Sequence, residues 1–206
     1  MTLAVLSVFI PTFFFVSITP GMCMTLALTM GMSIGVRRSL WMMAGELIGV
    51  GLVATSSAIG VAAIMLKYPS LFLLLKYGGG AYLGYLGIQL WLSRGKMAFS
   101  ETQTATQDSS RYSLASQGFI TAIANPKGWA FFIALLPPFI NYEQAIAPQL
   151  VVLITMILSI EFLCLLIYAG GGKTLRKMLM KGGNVRIINR IAGTLMIGVG
   201  IWLATG

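Results

Sequence analysis

The sequence predicts an all-α integral membrane protein of six transmembrane helices, arranged as a 3+3 inverted repeat. Three observations point there. First, the 206 residues are 57% hydrophobic and only 9% charged, with a mean hydropathy of +0.88 and no histidine. Second, long apolar runs recur that exceed the roughly 20 residues one spanning helix requires. Third, two prolines in small polar surroundings, Thr19-Pro20-Gly21 and Asn125-Pro126-Lys127, occupy matching places in the two halves, each followed one span later by a lone glutamate, Glu46 and Glu161. The apolar runs are continuous rather than alternating, which argues against a membrane β-barrel.

The predicted spans cover residues 2–29, 40–66, 71–92, 115–140, 149–171 and 187–205. No charge occurs from Met1 to Val36. That stretch lacks the basic n-region of a secretory signal and stays apolar well past the usual h-region, so it is expected to remain in the protein. At about 1.5 Å per residue an unbroken helix of this length overshoots a hydrocarbon core of roughly 30 Å, and Pro20-Gly21 is expected to divide it. Residues 1–206 form a single membrane domain, with repeat 1 at about 1–92, a flexible polar cytoplasmic linker at about 93–114, and repeat 2 at about 115–206.

A net charge of +9 would suggest nucleic acid in a soluble protein, but here the bases are distributed by loop. Eleven of the fourteen basic residues fall in or beside loops 1, 3 and 5, including Arg37, Arg38, Arg94, Arg111, Lys173 and Arg186. By the positive-inside rule the odd loops are cytoplasmic and both termini lie outside. Nucleic acid is not an expected partner; the lipid bilayer is.

Three spans on either side of the linker require the second half to enter the bilayer inverted. Weak internal similarity accompanies this: Gly80 and Gly87 in the third span match Gly193 and Gly200 in the sixth. Duplicated helix breaks and intramembrane acids are what a transporter with internal repeats displays. Proline costs about 3 kcal/mol in a helix interior, and an acid at mid-bilayer roughly 2.5–3.5 kcal/mol, so both features call for a use.

Unwinding at Pro20 and Pro126 would free carbonyls and present N–H donors at the restarting helices. This suits a zwitterion, whose carboxylate meets the donors while its ammonium meets freed carbonyls or a glutamate. Thr19, Pro20, Gly21 and Pro126 are therefore candidate break or gate residues. Glu46, Glu161, Asn125 and Lys127 are candidate substrate or proton sites. A carboxyl in a span can bind and release protons near neutrality. The alternative is a buried ion pair, with Lys76 or Lys127 as partner.

Other features are weaker. Met22, Met24, Met30, Met32, Met42 and Met43 cluster near Cys23, which raises soft-metal export as a second reading, although they form no spaced ligand set and adaptable packing explains them. Cys23 and Cys164 fall in spans and define no disulfide framework. Gly31-x-x-x-Gly35, Gly45-x-x-x-Gly49 and Gly80-x-x-x-Gly84 permit close helix packing, within one protomer or in a homodimer. The segment 173–181 places Leu175, Met178 and Leu179 on one face and bases on another, so it can lie on the anionic inner leaflet or simply fix topology. With no nucleotide-binding motif and no nucleophile–base set, an enzyme is not expected, nor any cofactor or bound metal. Energy must come from a gradient. A non-transporting membrane scaffold is the remaining alternative.

Four motifs in order resemble the LysE/RhtB family of amino-acid exporters: Ser17-Ile18-Thr19-Pro20-Gly21, then Gly45-Glu46, then Leu75 to Gln89 with its run of glycines and tyrosines, then Ala124-Asn125-Pro126-Lys127-Gly128. The likeness extends over nearly the whole chain. It implies secondary export of small amino acids or related metabolites from the bacterial cytoplasm across the inner membrane, driven by the proton gradient. The family's characteristic positions map onto Pro20, Gly21, Glu46, Asn125, Pro126, Lys127 and Glu161. One departure is Met22-Cys23 after the first Pro-Gly, where the family commonly has another proline or small residue and then a polar one. This more apolar site disfavours a very polar substrate.

Overall fold

The computed structural model describes residues 3–67, 71–93, 109–180 and 182–205, and every regular element among them is helical. In order these are α1 (Leu3–Ile18), α2 (Met22–Ile34), α3 (Val36–Lys67), α4 (Leu71–Leu92), α5 (Arg111–Ile123), α6 (Pro126–Leu135), a 3-10 turn (Pro137–Phe139), α7 (Ile146–Met180) and α8 (Gly182–Thr205). Segments of α3, α7 and α8 are long and apolar enough to cross a membrane. The pair α1–α2, bent by 58° at its break, makes a fourth crossing if taken as one span. α4 and the interrupted pair α5–α6 supply the remaining apolar segments.

Both prolines sit at helix starts rather than inside helices, which corrects the energetic expectation. Pro20 precedes Gly21, the N-cap of α2, and Pro126 is the first residue of α6. A first-turn proline lacks only an N–H that has no intrahelical partner anyway, so the interior penalty does not arise. Pro11, by contrast, lies in the interior of α1.

Close glycine contacts set the packing. On α3 a Cβ at Gly45 would strike the Ala115 backbone, and one at Gly49 would meet Ala122 and Phe119 of α5, while Gly118 of α5 lies against the Met42 carbonyl. The register advances together, so α3 and α5 run parallel. Their starts are also tied: Arg38 Nη2 donates to the Ser109 carbonyl at 2.7 Å, and Arg111 lies 5.2 Å from the centre of the Trp41 ring. Gly31 of α2 abuts Ala169 of α7 in the same manner.

α4 and α8 pair antiparallel and reciprocally. A Cβ at Gly80 would stand 2.8 Å from the Gly200 carbonyl oxygen, and one at Gly200 would stand 2.6 Å from that of Gly80. Gly87 and Gly193 exchange the same relation at 2.7 and 2.5 Å. Further along, Asn189 Nδ2 donates to Ser93 Oγ, and the Arg190 guanidinium lies 4.6 Å over Trp91. The glycine pairs seen in sequence thus pack mostly within the chain. Gly35 and Gly84 face open space instead, and Gly35 (φ 79°) makes the left-handed turn from α2 into α3, a conformation that favours glycine.

Two apolar clusters fill the bundle. One joins Phe9 and Phe13 of α1 to Val53 and Ala58 of α3, Phe131 and Phe132 of α6, and Leu153 of α7. The other joins Leu28 and Met30 of α2 to Met42 and Met43 of α3, Leu114 of α5, and Leu165 and Leu179 of α7. α3, α5, α7 and α8 each contribute to both clusters, and each does so from different parts of its length. Along the chain the first break, Glu46 and Glu161 fall between residues of the two clusters, while the second break is flanked by Ala122 and Phe131 of the first cluster.

Candidate functional site

The two helix breaks open onto one cavity of about 300 Å³. Thr19, Pro20 and Gly21 line it from the first break, Asn125 and Pro126 from the second, and Glu161 from α7. Ser17, Cys23 and Gly128 complete the polar and small wall, while Phe13, Val16, Val50, Val53, Phe131 and Phe132 form an apolar one. Breaks that are 106 residues apart in sequence therefore meet in space.

The backbone groups released at each break are partly satisfied by side chains. Tyr168 donates its hydroxyl to the Ile18 carbonyl at 2.7 Å, and Thr19 folds back to donate to the Phe15 carbonyl at 2.7 Å. Across the cavity, Trp129 Nε1 donates to the Ile123 carbonyl at 2.9 Å. Three carbonyls beside the breaks thus already accept side-chain hydrogen bonds, which shifts the contacts of a ligand ammonium towards carboxylates. The donor side is more open: the α2 N-cap is glycine, with no side-chain cap bond, so first-turn N–H groups are left for an incoming anion.

Glu161 accepts a hydrogen bond of 2.6 Å from Ser17 Oγ, a link between α7 and the last turn of α1. Glu46 is fully buried, at 0% exposure, and neither of its carboxyl oxygens has a hydrogen-bond partner among the described residues. Cys23 and Glu161 stand close enough to interact with it electrostatically without reaching hydrogen-bonding geometry. Glu46 does not itself line the cavity; it lies behind the wall that Cys23 and Glu161 contribute to. Asn125 Nδ2 reaches Cys23 Sγ at 3.9 Å, a weak bond that joins the two breaks directly. Thr25, one turn into α2, also has a buried hydroxyl without a partner among the described residues.

Lys127 occupies the first turn of α6, and Lys76 lies in α4. Both side chains fall outside the described residues. Met22, Cys23 and Met24 do line the cavity, yet among the described residues no group of three or more Cys, Asp or Glu side chains is placed to hold a metal ion. Three participants escaped the sequence argument. Ser17 had a signal, since it opens the Ser-Ile-Thr-Pro-Gly motif; Tyr168 and Trp129 had none, because an aromatic residue in an apolar span reads as packing.

The site thus combines helix N-termini, buried carboxyls and an apolar wall inside a membrane-spanning bundle, which is the constitution of a small-molecule translocator. The LysE type translocator family model matches residues 14–206, and the chain belongs to that family. Among its relatives, an uncharacterised membrane protein of Vibrio cholerae is 29% identical over 189 residues, covering 92% of this chain and 91% of that protein. The homoserine/homoserine lactone efflux protein of Salmonella typhimurium is 26% identical, covering 92% of this chain and 90% of that protein. The leucine efflux protein of an Enterobacter species is 25% identical, covering 93% and 91%. No solved structure matches the chain. Membership in a translocator family makes this a transporter rather than an enzyme or a passive scaffold.

Proposed function

We propose that the protein exports a small neutral or apolar amino acid from the bacterial cytoplasm across the inner membrane, by proton-coupled alternating access. The observation that carries this reading is the convergence of both helix breaks and Glu161 on one cavity. Its volume of about 300 Å³ lies at the lower end for small-molecule sites, which suits a single amino acid. The substrate carboxylate docks at the open first turn of α2, with Asn125 bordering it; Lys127, in the first turn of α6, is a candidate charge partner for it. The ammonium faces Glu161, and the side chain rests on Phe13, Val53 and Phe131. Relatives named for efflux of homoserine and of leucine bracket this substrate class.

Glu46 and Glu161 serve as the proton stations. Two carboxyls this close in a low-dielectric interior cannot both be ionised cheaply, so arrival of a substrate ammonium and departure of a proton are naturally exclusive. The architecture in this reading is six spans in a 3+3 inverted repeat, with both termini outside and odd loops cytoplasmic. The α4–α8 contacts support it: exchanging Gly80 with Gly193 and Gly87 with Gly200 turns the first glycine contact into the second. The two apolar clusters on either side of the first break and of the two glutamates then act as the outer and inner gates.

The test is efflux of labelled leucine and homoserine from loaded proteoliposomes under an imposed pH gradient. Wild-type protein accelerates efflux when the gradient is applied, and Glu161→Gln and Glu46→Gln abolish that acceleration. Gradient-driven rates in both variants equal to wild type would overturn the proton role.

A further inference from the structure

The last part of the chain is electrically one-sided. After Glu161 there is no acidic residue, while Lys173, Arg176, Lys177, Lys181, Arg186 and Arg190 are all basic. The structure gives part of this stretch a definite shape. Gly172 (φ 48°, ψ −139°) interrupts α7, so residues 173–180 form a separate short helix beyond the spanning portion. A left-handed glycine at that point sets the direction in which the short helix leaves the bundle.

The short helix is amphipathic by position. Lys173, Arg176 and Lys177, at i, i+3 and i+4, share one exposed face. Leu179 is buried in the apolar cluster that also holds Leu28 of α2 and Leu114 of α5, and Leu175 packs on Gly171. Met178 is 52% exposed on the flank between these faces. Asn184 Nδ2 donates to the Met178 carbonyl at 3.0 Å and fastens the helix to the start of α8. A loop that only sets topology requires bases but neither a seated helix nor an exposed methionine beside them.

We infer that residues 173–180 form a binding ledge for the anionic phospholipid headgroups of the leaflet they border. Lys173, Arg176 and Lys177 contact the headgroup phosphates, and Met178 enters the acyl boundary. Because Leu179 shares a buried cluster with Leu28 and Met30 of α2, the helix whose first turn lines the cavity, lipid engagement steadies the wall of the site. Attraction of bases to an anionic leaflet corresponds to about a fivefold effect per charge, and it is screened by salt. The inference does not depend on which substrate is carried.

The test uses the full-length protein in mixed phosphatidylcholine/phosphatidylglycerol vesicles, with brominated lipids to report local enrichment by quenching of tryptophan fluorescence. Wild-type protein enriches phosphatidylglycerol over phosphatidylcholine. Lys173→Gln with Arg176→Gln and Lys177→Gln removes most of that preference while protease protection shows unchanged orientation. A second measurement needs no substitution: raising the salt concentration on wild-type protein suppresses the enrichment. Glycerol phosphate added in solution, as a free phosphate source, competes only weakly if the lipid is the ligand. Absence of enrichment in wild type, enrichment unchanged by salt or by the triple substitution, or full displacement by glycerol phosphate would each overturn the inference.

Discussion

Replacing Gly80 with alanine tests the α4–α8 seam against an internal control on the same helix. A Cβ at Gly80 would stand 2.8 Å from the carbonyl oxygen of Gly200, whereas a Cβ at Gly84 would meet nothing within 4 Å. Alanine in place of glycine favours a helix by about 1 kcal/mol at either position. At Gly80 the new methyl must also displace backbone, an overpacking cost of about 1–3 kcal/mol that no rotamer change relieves. The two variants should therefore differ by about 1–3 kcal/mol. For a chain of this size that separates their melting temperatures by roughly 2–12 °C, with Gly84→Ala above wild type and Gly80→Ala at or below it. Thermal unfolding of detergent-solubilised protein, followed by size-exclusion chromatography, measures both. Equal shifts for the two variants would refute the antiparallel glycine contact and remove the main geometric support for the inverted repeat.

Other outcomes follow from single contacts. Tyr168→Phe leaves the Ile18 carbonyl at the first break without its 2.7 Å donor, costing about 1–3 kcal/mol and lowering the melting temperature; a wild-type value would show that this carbonyl finds another partner. Gln149→Leu removes three hydrogen bonds, two to Asn141 backbone groups and one to the Ala145 carbonyl, so hydrogen exchange at residues 141–145 should accelerate by at least tenfold, and unchanged protection would contradict that role.

Much of the architecture was legible because membrane burial writes itself into composition. Helical content, the division near Pro20 and the interruption near Pro126 follow from apolar run lengths and from what proline does to a backbone. Helix ends were less legible. α3 begins at Val36 rather than near residue 40, because Arg37 and Arg38 belong to its first turn instead of to a loop, and hydropathy alone excludes them. α5 begins at Arg111 because Ser110 caps it, its hydroxyl accepting from the Ser113 N–H at 3.2 Å, a local signal outweighed by the polarity of the neighbouring residues. The candidate site was legible in kind but not in arrangement. Pattern reasoning found Glu161 and both breaks, yet could not foresee that Tyr168 and Trp129 occupy the freed carbonyls, or that Glu46 lies behind the cavity wall. Those relations depend on interhelical register, which the close glycine contacts determine and single-helix periodicity does not record.

If substrate passes through the cavity between the two breaks, as proposed, Gly128 offers direct access to that path. This residue lines the cavity near the start of α6, and a Cβ there would meet nothing within 4 Å, so a large side chain can enter the space without displacing backbone. The decisive measurement is efflux of labelled leucine from proteoliposomes containing wild-type protein or Gly128→Phe, matched for quantity and for melting temperature. Efflux above that of protein-free vesicles is expected for wild type, and efflux at their level for the filled variant. Wild-type efflux from Gly128→Phe would place the pathway elsewhere.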